Sequence, residues 1–565
     1  MERRIIVAVL LMMAVVFVVQ YFFPPPTPPE RPPPPPLGRD ADTVTARDAD
    51  TSRFVPPPEL REPPAVQAQV AAIDTVWVNG PLYRLGFSSV GATLISAEML
   101  AFESLAPATK GEPVQLVPPG SNDFLSHGWL VGDDTLDLQG ASFEVTPPGG
   151  LTLAAGSRPR SLKFVYQHPD APFRVEIGYS FYPEGYVIDV QGRLSGAPTT
   201  GWWLLGLGSG LESNESDPSA DYREYLSYVV KGPEGAETMK VKDLEDPGQR
   251  AILEGPFDWV AVRTKYFVSA LVLPPDAGPE ARFAGLRVTR LPESYRARGV
   301  VSFPLSRDGS FSYDFYLGPQ DHRRLSAVGH DLDQVAPYGY KWLQPVMRPL
   351  ASAITGLMVW SHNNLRLGYG WILILFGIGI RVLLFPLYQK SMRSQMATMR
   401  VQPLMKEIQT KYKHDPQRLQ QEMMKLYREH KINPLGGCLP MLLPFPVLIA
   451  LFFVFRDTIE FRGVPFLWLP DLSRPDPLYI IPVLMGASLF VLQWVGMRGM
   501  TQPNPQMKTM MYVMPVMMVV LFFRFAAGLN LYYATMNLAS LPQQLYLARE
   551  RKAAAQQPAP ASAKT

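Results

Sequence analysis

A single cysteine, Cys438, stands among the 565 residues, so no disulfide can form within the chain. There is no CxxC pair and no Cys/His cluster, which removes the common zinc frameworks. The net charge is only +3, too small to make nucleic acid the main partner, and no direct base readout is expected. Nucleophile elbows, phosphate-cradling glycine loops and metal-ligand spacings are missing as well. These absences leave no residue pattern that calls for catalysis or a cofactor. One further absence matters later: the long apolar runs of the C-terminal half contain no acidic residue near their centres.

What is present is unevenly distributed. Arg3 and Arg4 precede an apolar run from Ile5 to Phe23. That run is close to the ~20 residues that cross a bilayer. It ends in aromatics and Pro24-Pro25-Pro26 rather than at a small-residue cleavage site. An uncleaved anchor over 1–23 is therefore favoured over a secretory signal. The two arginines place its start in the cytoplasm. Residues 24–64 are dominated by proline and read as an extended linker. From 65 to 330 short alternating runs such as Phe173–Phe181 and Tyr186–Leu194 are punctuated by Gly, Pro and Asn/Asp. They predict a large exported antiparallel β-sandwich. His127, His168, Asp133 and Asp134 are its obvious polar candidates, and the spacing reads them as surface or turn residues. Trp202 and Trp203 could line a carbohydrate cleft, but paired tryptophans in such a domain belong more often to the core.

Residues 337–352 carry apolar side chains at helical spacing with Lys341 and Arg348 among them, the pattern of an interfacial amphipathic helix. Five apolar segments follow, at about 369–388, 436–455, 478–496, 509–523 and 529–547. With the N-terminal anchor they predict a six-span membrane α-helical bundle with a five-helix core and both termini in the cytoplasm. The loop charges agree. Lys390, Arg393, Arg400, Lys406, Lys411, Lys413, Arg418, Lys425, Arg428 and Lys431 outnumber Glu407, Asp415, Glu422 and Glu429 in 389–434. This marks the loop as cytoplasmic. Within it, Val401, Leu404, Met405, Ile408 and Tyr412 form one stripe, and Leu419, Met423, Leu426 and Tyr427 another. His414-Asp415-Pro416 separates the stripes, so a helical hairpin is expected, its basic face suited to anionic lipid or a ribosome. The tail, 548–565, is short and alanine-rich.

Arg381 lies inside the first of the five segments, between Ile380 and Val382. An arginine at that depth costs at least ~2.5 kcal/mol and normally faces protein or a water-filled cavity. Gly377 and Gly379 keep the neighbouring surface small, and Pro386 breaks the helix soon after. With no acidic partner in the other spans, Arg381 suggests a hydrated groove that holds a passing polar or acidic segment. Snorkelling to the headgroups is the simpler alternative. Met441, Met485, Met510, Met511, Met514, Met517 and Met518 give the spans a soft, adaptable surface.

Residues 337–548 resemble the YidC/Oxa/Alb family of membrane-protein insertases. The resemblance rests on Ile380-Arg381-Val382-Leu383-Leu384-Phe385-Pro386-Leu387, Gln402-Pro403, and Gln421-Glu422-Met423-Met424-Lys425-Leu426-Tyr427. It rests also on Asn433-Pro434-Leu435-Gly436-Gly437-Cys438-Leu439-Pro440 and Gly528-Leu529-Asn530-Leu531-Tyr532-Tyr533. The order of anchor, exported domain and five-span core is similar to the long Gram-negative form. That resemblance implies an insertase and chaperone of the inner membrane that works alone or with the Sec translocon. It would receive nascent membrane proteins from ribosomes or targeting factors. It also implies that Arg381 is the groove arginine, and that Leu439, Met441, Leu442, Met514, Met517 and Phe522 form an apolar slide. Tyr532 and Tyr533 would be groove-side tyrosines. The exported domain would be a β-supersandwich related to sugar-binding folds. The chain departs from the family pattern at Ala526-Ala527-Gly528, where relatives carry Pro-Ser-Gly. Two other classes compete: a secondary transporter, which would pair its buried charges and show repeated halves, and an anchored periplasmic carbohydrate enzyme.

Overall fold

The computed structural model describes residues 74–336 (apart from 133 and 293), 344–386, 389, 401–413, 415–430, 445–497 and 505–556. The N-terminal apolar run, the proline-rich linker, Leu439, Met441 and Leu442 lie outside the described residues, as does Asp133. The chain divides into two compact units, one within 42–337 and one within 338–565.

The first unit is β-rich, with sheets of five, nine and six strands. Its strands follow the period-two rule of a pleated ribbon with one buried face. In Arg174–Phe181 the buried residues are Val175, Ile177, Tyr179 and Phe181, alternating with more exposed neighbours. The register of the nine-stranded sheet sets Tyr179 opposite Val190, and Val190 opposite Tyr313. Onto that face both smaller sheets bring aromatic rings. Phe87 of the five-stranded sheet lies 5.0 Å from Tyr179, and Trp203 of the six-stranded sheet stacks 4.8 Å from Phe311. All pairings among the described strands are antiparallel except that of Thr75–Asn79 with Leu151–Thr152. Two short helices, α1 (Pro218–Tyr225) and α2 (His322–Val328), begin at Asp217 and Asp321, whose carboxylates accept the first free backbone N–H groups.

The second unit is helical: α3 (Gln344–Leu365), α4 (Tyr369–Leu383), α5 (Gln402–Lys411), α6 (Pro416–Glu429), α7 (Phe445–Asp457), α8 (Ile480–Met497), α9 (Pro505–Phe522) and α10 (Ala527–Gln556). Among the described residues α8 is long and apolar enough to cross a membrane, and Tyr369–Leu383, Val447–Arg456 and Thr509–Phe522 are shorter apolar helices. Helix α3 extends well past residue 352. Met347, Ala351, Ile354 and Met358 recur every third or fourth position and are buried in the bundle core, which carries the helix through Gly356 to Leu365. Helices α5 and α6 pack on Val401 and Leu426, flanked by Met405, Ile408 and Tyr427. Asp415 caps α6 through the Arg418 N–H at 3.1 Å, and Pro416 fills its first position.

The entry to α10 explains how Ala526-Ala527-Gly528 serves as a turn. The N–H groups of Ala527 and Gly528 donate to the carbonyls of Arg474 and Leu472 at 2.7 and 3.0 Å. At Gly528 the Phe455 ring comes so close that a Cβ would sit 2.4 Å from it. The close approach, rather than the two residues before it, demands glycine.

Candidate functional site

Arg381 owes its position to the periodicity of α4. Tyr369, Gly370, Ile372, Leu373, Phe376, Gly377 and Arg381 form the buried stripe of that helix. Trp371, Leu375, Ile378 and Val382 form the opposite, exposed one. The stripe carries Arg381 inward, where it is 7 % exposed. It lies in the last turn of α4, where the free carbonyl ends favour a cation. Its Nη2 donates to Oε1 of Gln543 on α10, itself 8 % exposed. The arginine thus faces protein.

The surrounding wall is built from α4 and α10. Phe376 and Tyr532 lie 5.8 Å apart, and Tyr532 is fully buried. A Cβ at Gly377 would meet Thr535 at 3.2 Å, so this glycine lets the helices approach, whereas a Cβ at Gly379 would meet nothing within 4 Å. Of the two small residues singled out from sequence, Gly377 alone serves the α4–α10 contact.

The adjacent Tyr533 faces elsewhere. It is half-buried and stacks on Phe522 of α9, with 6.0 Å between rings. Phe522 is buried and also touches Phe525. Met514 and Met517 lie half-buried on the same helix. The structure therefore separates the sequence candidates into two groups: Arg381 with Tyr532 at the α4–α10 contact, and Tyr533 with Phe522 at the α9–α10 contact.

Sequence reasoning missed Gln543. Its signal was available as a polar side chain inside an apolar segment, beside Pro542. Buried polar residues recur along α10: Asn530, Asn537, Ser540 and Gln543. Asn537 donates to Ser488 Oγ on α8 at 3.0 Å, an interhelical polar contact of the kind that joins helices in lipid.

The candidates in the β unit are absorbed by its fold. His127 is buried, its Nε2 3.1 Å from the Tyr179 hydroxyl, while Trp203 Nε1 donates to Nδ1 at 3.4 Å. Burial lowers its pKa from 6.5 to about 3, so the ring is neutral at physiological pH. His168 sits at a strand end, its Nδ1 accepting from Asp170 N–H at 3.1 Å. Trp203 is core, and Trp202 is partly exposed. Among the described residues no group of three or more His, Cys, Asp or Glu is placed to hold a metal.

Two family models match the chain: "YidC periplasmic domain" over residues 75–353 and "60Kd inner membrane protein" over 360–555. A membrane protein insertase YidC from Chlorobaculum parvum is 33 % identical over 528 residues, covering 88 % of this chain and 86 % of the relative. One from Syntrophus aciditrophicus is 32 % identical, covering 84 % and 85 %. Among solved structures, one described as an active YidC insertase with the first transmembrane domain resolved is 19 % identical with a TM-score of 0.34, covering 84 % of this chain and 93 % of that one.

Proposed function

Since the chain belongs to the YidC family of membrane protein insertases, we propose that it moves hydrophobic segments of nascent membrane proteins into the inner membrane along the helices that surround Arg381. Its clients are nascent membrane proteins, and like its relatives it is an insertase, not an enzyme. The observation that carries the site assignment is the buried Arg381, held by the neutral amide of Gln543 on the inner face of an otherwise apolar helix. A cation there attracts polar or acidic residues of a chain in transit, and a hydrated groove lowers the barrier for them. Tyr533, Met514, Met517 and Phe522, with Leu439, Met441 and Leu442 of the third span, provide the apolar slide beside it. Tyr532 braces the arginine's helix through Phe376.

In this proposal the N-terminal run, α4, α7, α8, α9 and α10 are the six spans, α3 lies in the interface, and both termini are cytoplasmic. The layered β unit, read as a sandwich, lies in the periplasm. Helices α5 and α6 present their basic face to the ribosome, to targeting factors or to anionic lipid. The insertase acts alone or beside the Sec translocon. Photocrosslinkers at positions 381, 514, 517 and 533 test the route with ribosome-bound chains. The expected result is adducts with the apolar segment of the client. Absence of adducts at all four positions would refute it.

A further inference from the structure

We propose that the loop joining α7 to α8 is seated in the headgroup region of the bilayer, with the turn at Leu467 and Trp468 projecting as an apolar wedge. Phe466 and Leu469 exchange both backbone hydrogen bonds at 2.9 Å, which leaves only Leu467 and Trp468 at the tip. Such tight turns ordinarily use glycine or asparagine where φ is positive. Here Leu467 takes that conformation, φ 53°, and is 70 % exposed. Trp468 is held in place, its Nε1 donating to Asp476 Oδ2 at 3.4 Å, yet its ring remains partly exposed. Leu478 and Tyr479, just before α8, are exposed too.

The surroundings identify lipid as the occupant. Tyr479 lies 6.1 Å from Phe523, and the Arg524 guanidinium sits 5.2 Å over the Phe523 ring. Trp371 packs edge-on against Phe466 at 5.5 Å while keeping most of its surface free. Tryptophan, tyrosine and arginine thus gather where α4 and α8 begin and α9 ends, the composition of a membrane–water belt. The exposed apolar faces of α4 and α8 continue directly from this belt through Leu375, Ile378 and Val382, and through Val483, Leu484 and Val491. The two aspartates, Asp471 and Asp476, are folded inside, so they do not confront phosphate groups. Asp476 instead receives the N–H of Ile481 at 2.7 Å, and Leu472 and Arg474 receive those that open α10. The loop therefore fastens the starts of α8 and α10 to an element fixed in the interface. This is independent of the groove reading, since no client contact is involved.

The test places a nitroxide at position 467 of the full chain in a Cys438→Ser background, in vesicles of phosphatidylethanolamine and phosphatidylglycerol. Collision with oxygen is compared with collision with a water-soluble nickel chelate, using a label at the exposed Glu237 as the aqueous reference. The expected oxygen-to-nickel ratio is at least threefold above that reference. A ratio equal to the reference overturns the proposal. A label shielded from both reagents also overturns it and assigns the turn to a protein partner, such as a second copy. Should Leu467→Cys fail to fold, a label at Leu478, which is 61 % exposed with ordinary backbone, reads the same outcomes.

Discussion

Gln543→Ala removes the amide that accepts from Arg381 while leaving the rest of α10 untouched. The two side chains are 7 % and 8 % exposed, so the acceptor that is lost lies within the helix contact. A hydrogen bond to a charged group contributes ~1.5–3 kcal/mol. The lower end, about 1.5 kcal/mol, is already roughly tenfold in the unfolding constant. Unfolding of the purified full chain, titrated from mild detergent into dodecyl sulfate and followed by near-ultraviolet circular dichroism, measures it. The decisive experiment is the double-mutant cycle with Arg381→Met. On that background Gln543→Ala should be nearly silent, giving a coupling of about 1 kcal/mol or more. A single-mutant loss below about 0.5 kcal/mol, or a coupling indistinguishable from zero, would refute the assignment of Gln543 as the partner that holds the arginine.

Three further outcomes follow from the geometry. The folded-state pKa of His127 is depressed to about 3, so its contribution is complete above pH 6.5 and is lost as pH falls toward 3. Between pH 7 and pH 5 the wild type should lose about 2 kcal/mol relative to His127→Phe, read as the difference between their unfolding free energies. The difference cancels Asp221, whose pKa is raised to about 6 by burial and which stabilises in the opposite sense as pH falls. Gly528→Ala should destabilise by ~1–3 kcal/mol, because the new methyl meets the buried Phe455 ring, whereas Gly379→Ala, with open space around it, should leave the thermal midpoint unchanged or raised. Asp476→Ala should cost about 1–2 kcal/mol by freeing the N–H groups of Leu478 and Ile481, and Asp476→Asn should recover only part of that loss in the same thermal assay, because one amide oxygen replaces only one of the two accepting carboxylate oxygens.

Alternation in Arg174–Phe181 was legible from residue order alone, because a strand assigns faces by its own period, whereas α4 is apolar on both faces and its buried stripe emerged only in the fold. Arg381 stood apart all the same, since a charge within an apolar helix is conspicuous whatever surrounds it. The motifs around it carried the family. The length of α3 was less visible, because its second half is held by packing of Ile354 and Met358 rather than by capping residues.

Residue order determined the sequence of apolar and polar segments, the position of Arg381 within one of them, and the family, all of which depend on spacing along one chain. Tertiary structure alone decided which residue, 162 positions away, answers Arg381. It alone sent the neighbours Tyr532 and Tyr533 to different helices, because successive residues on a helix point about 100° apart. It also took His127 out of the candidate list by enclosing it between Tyr179 and Trp203. These outcomes depend on pairings between distant segments, and a hydrogen bond or a ring contact of that kind leaves no local trace in the chain.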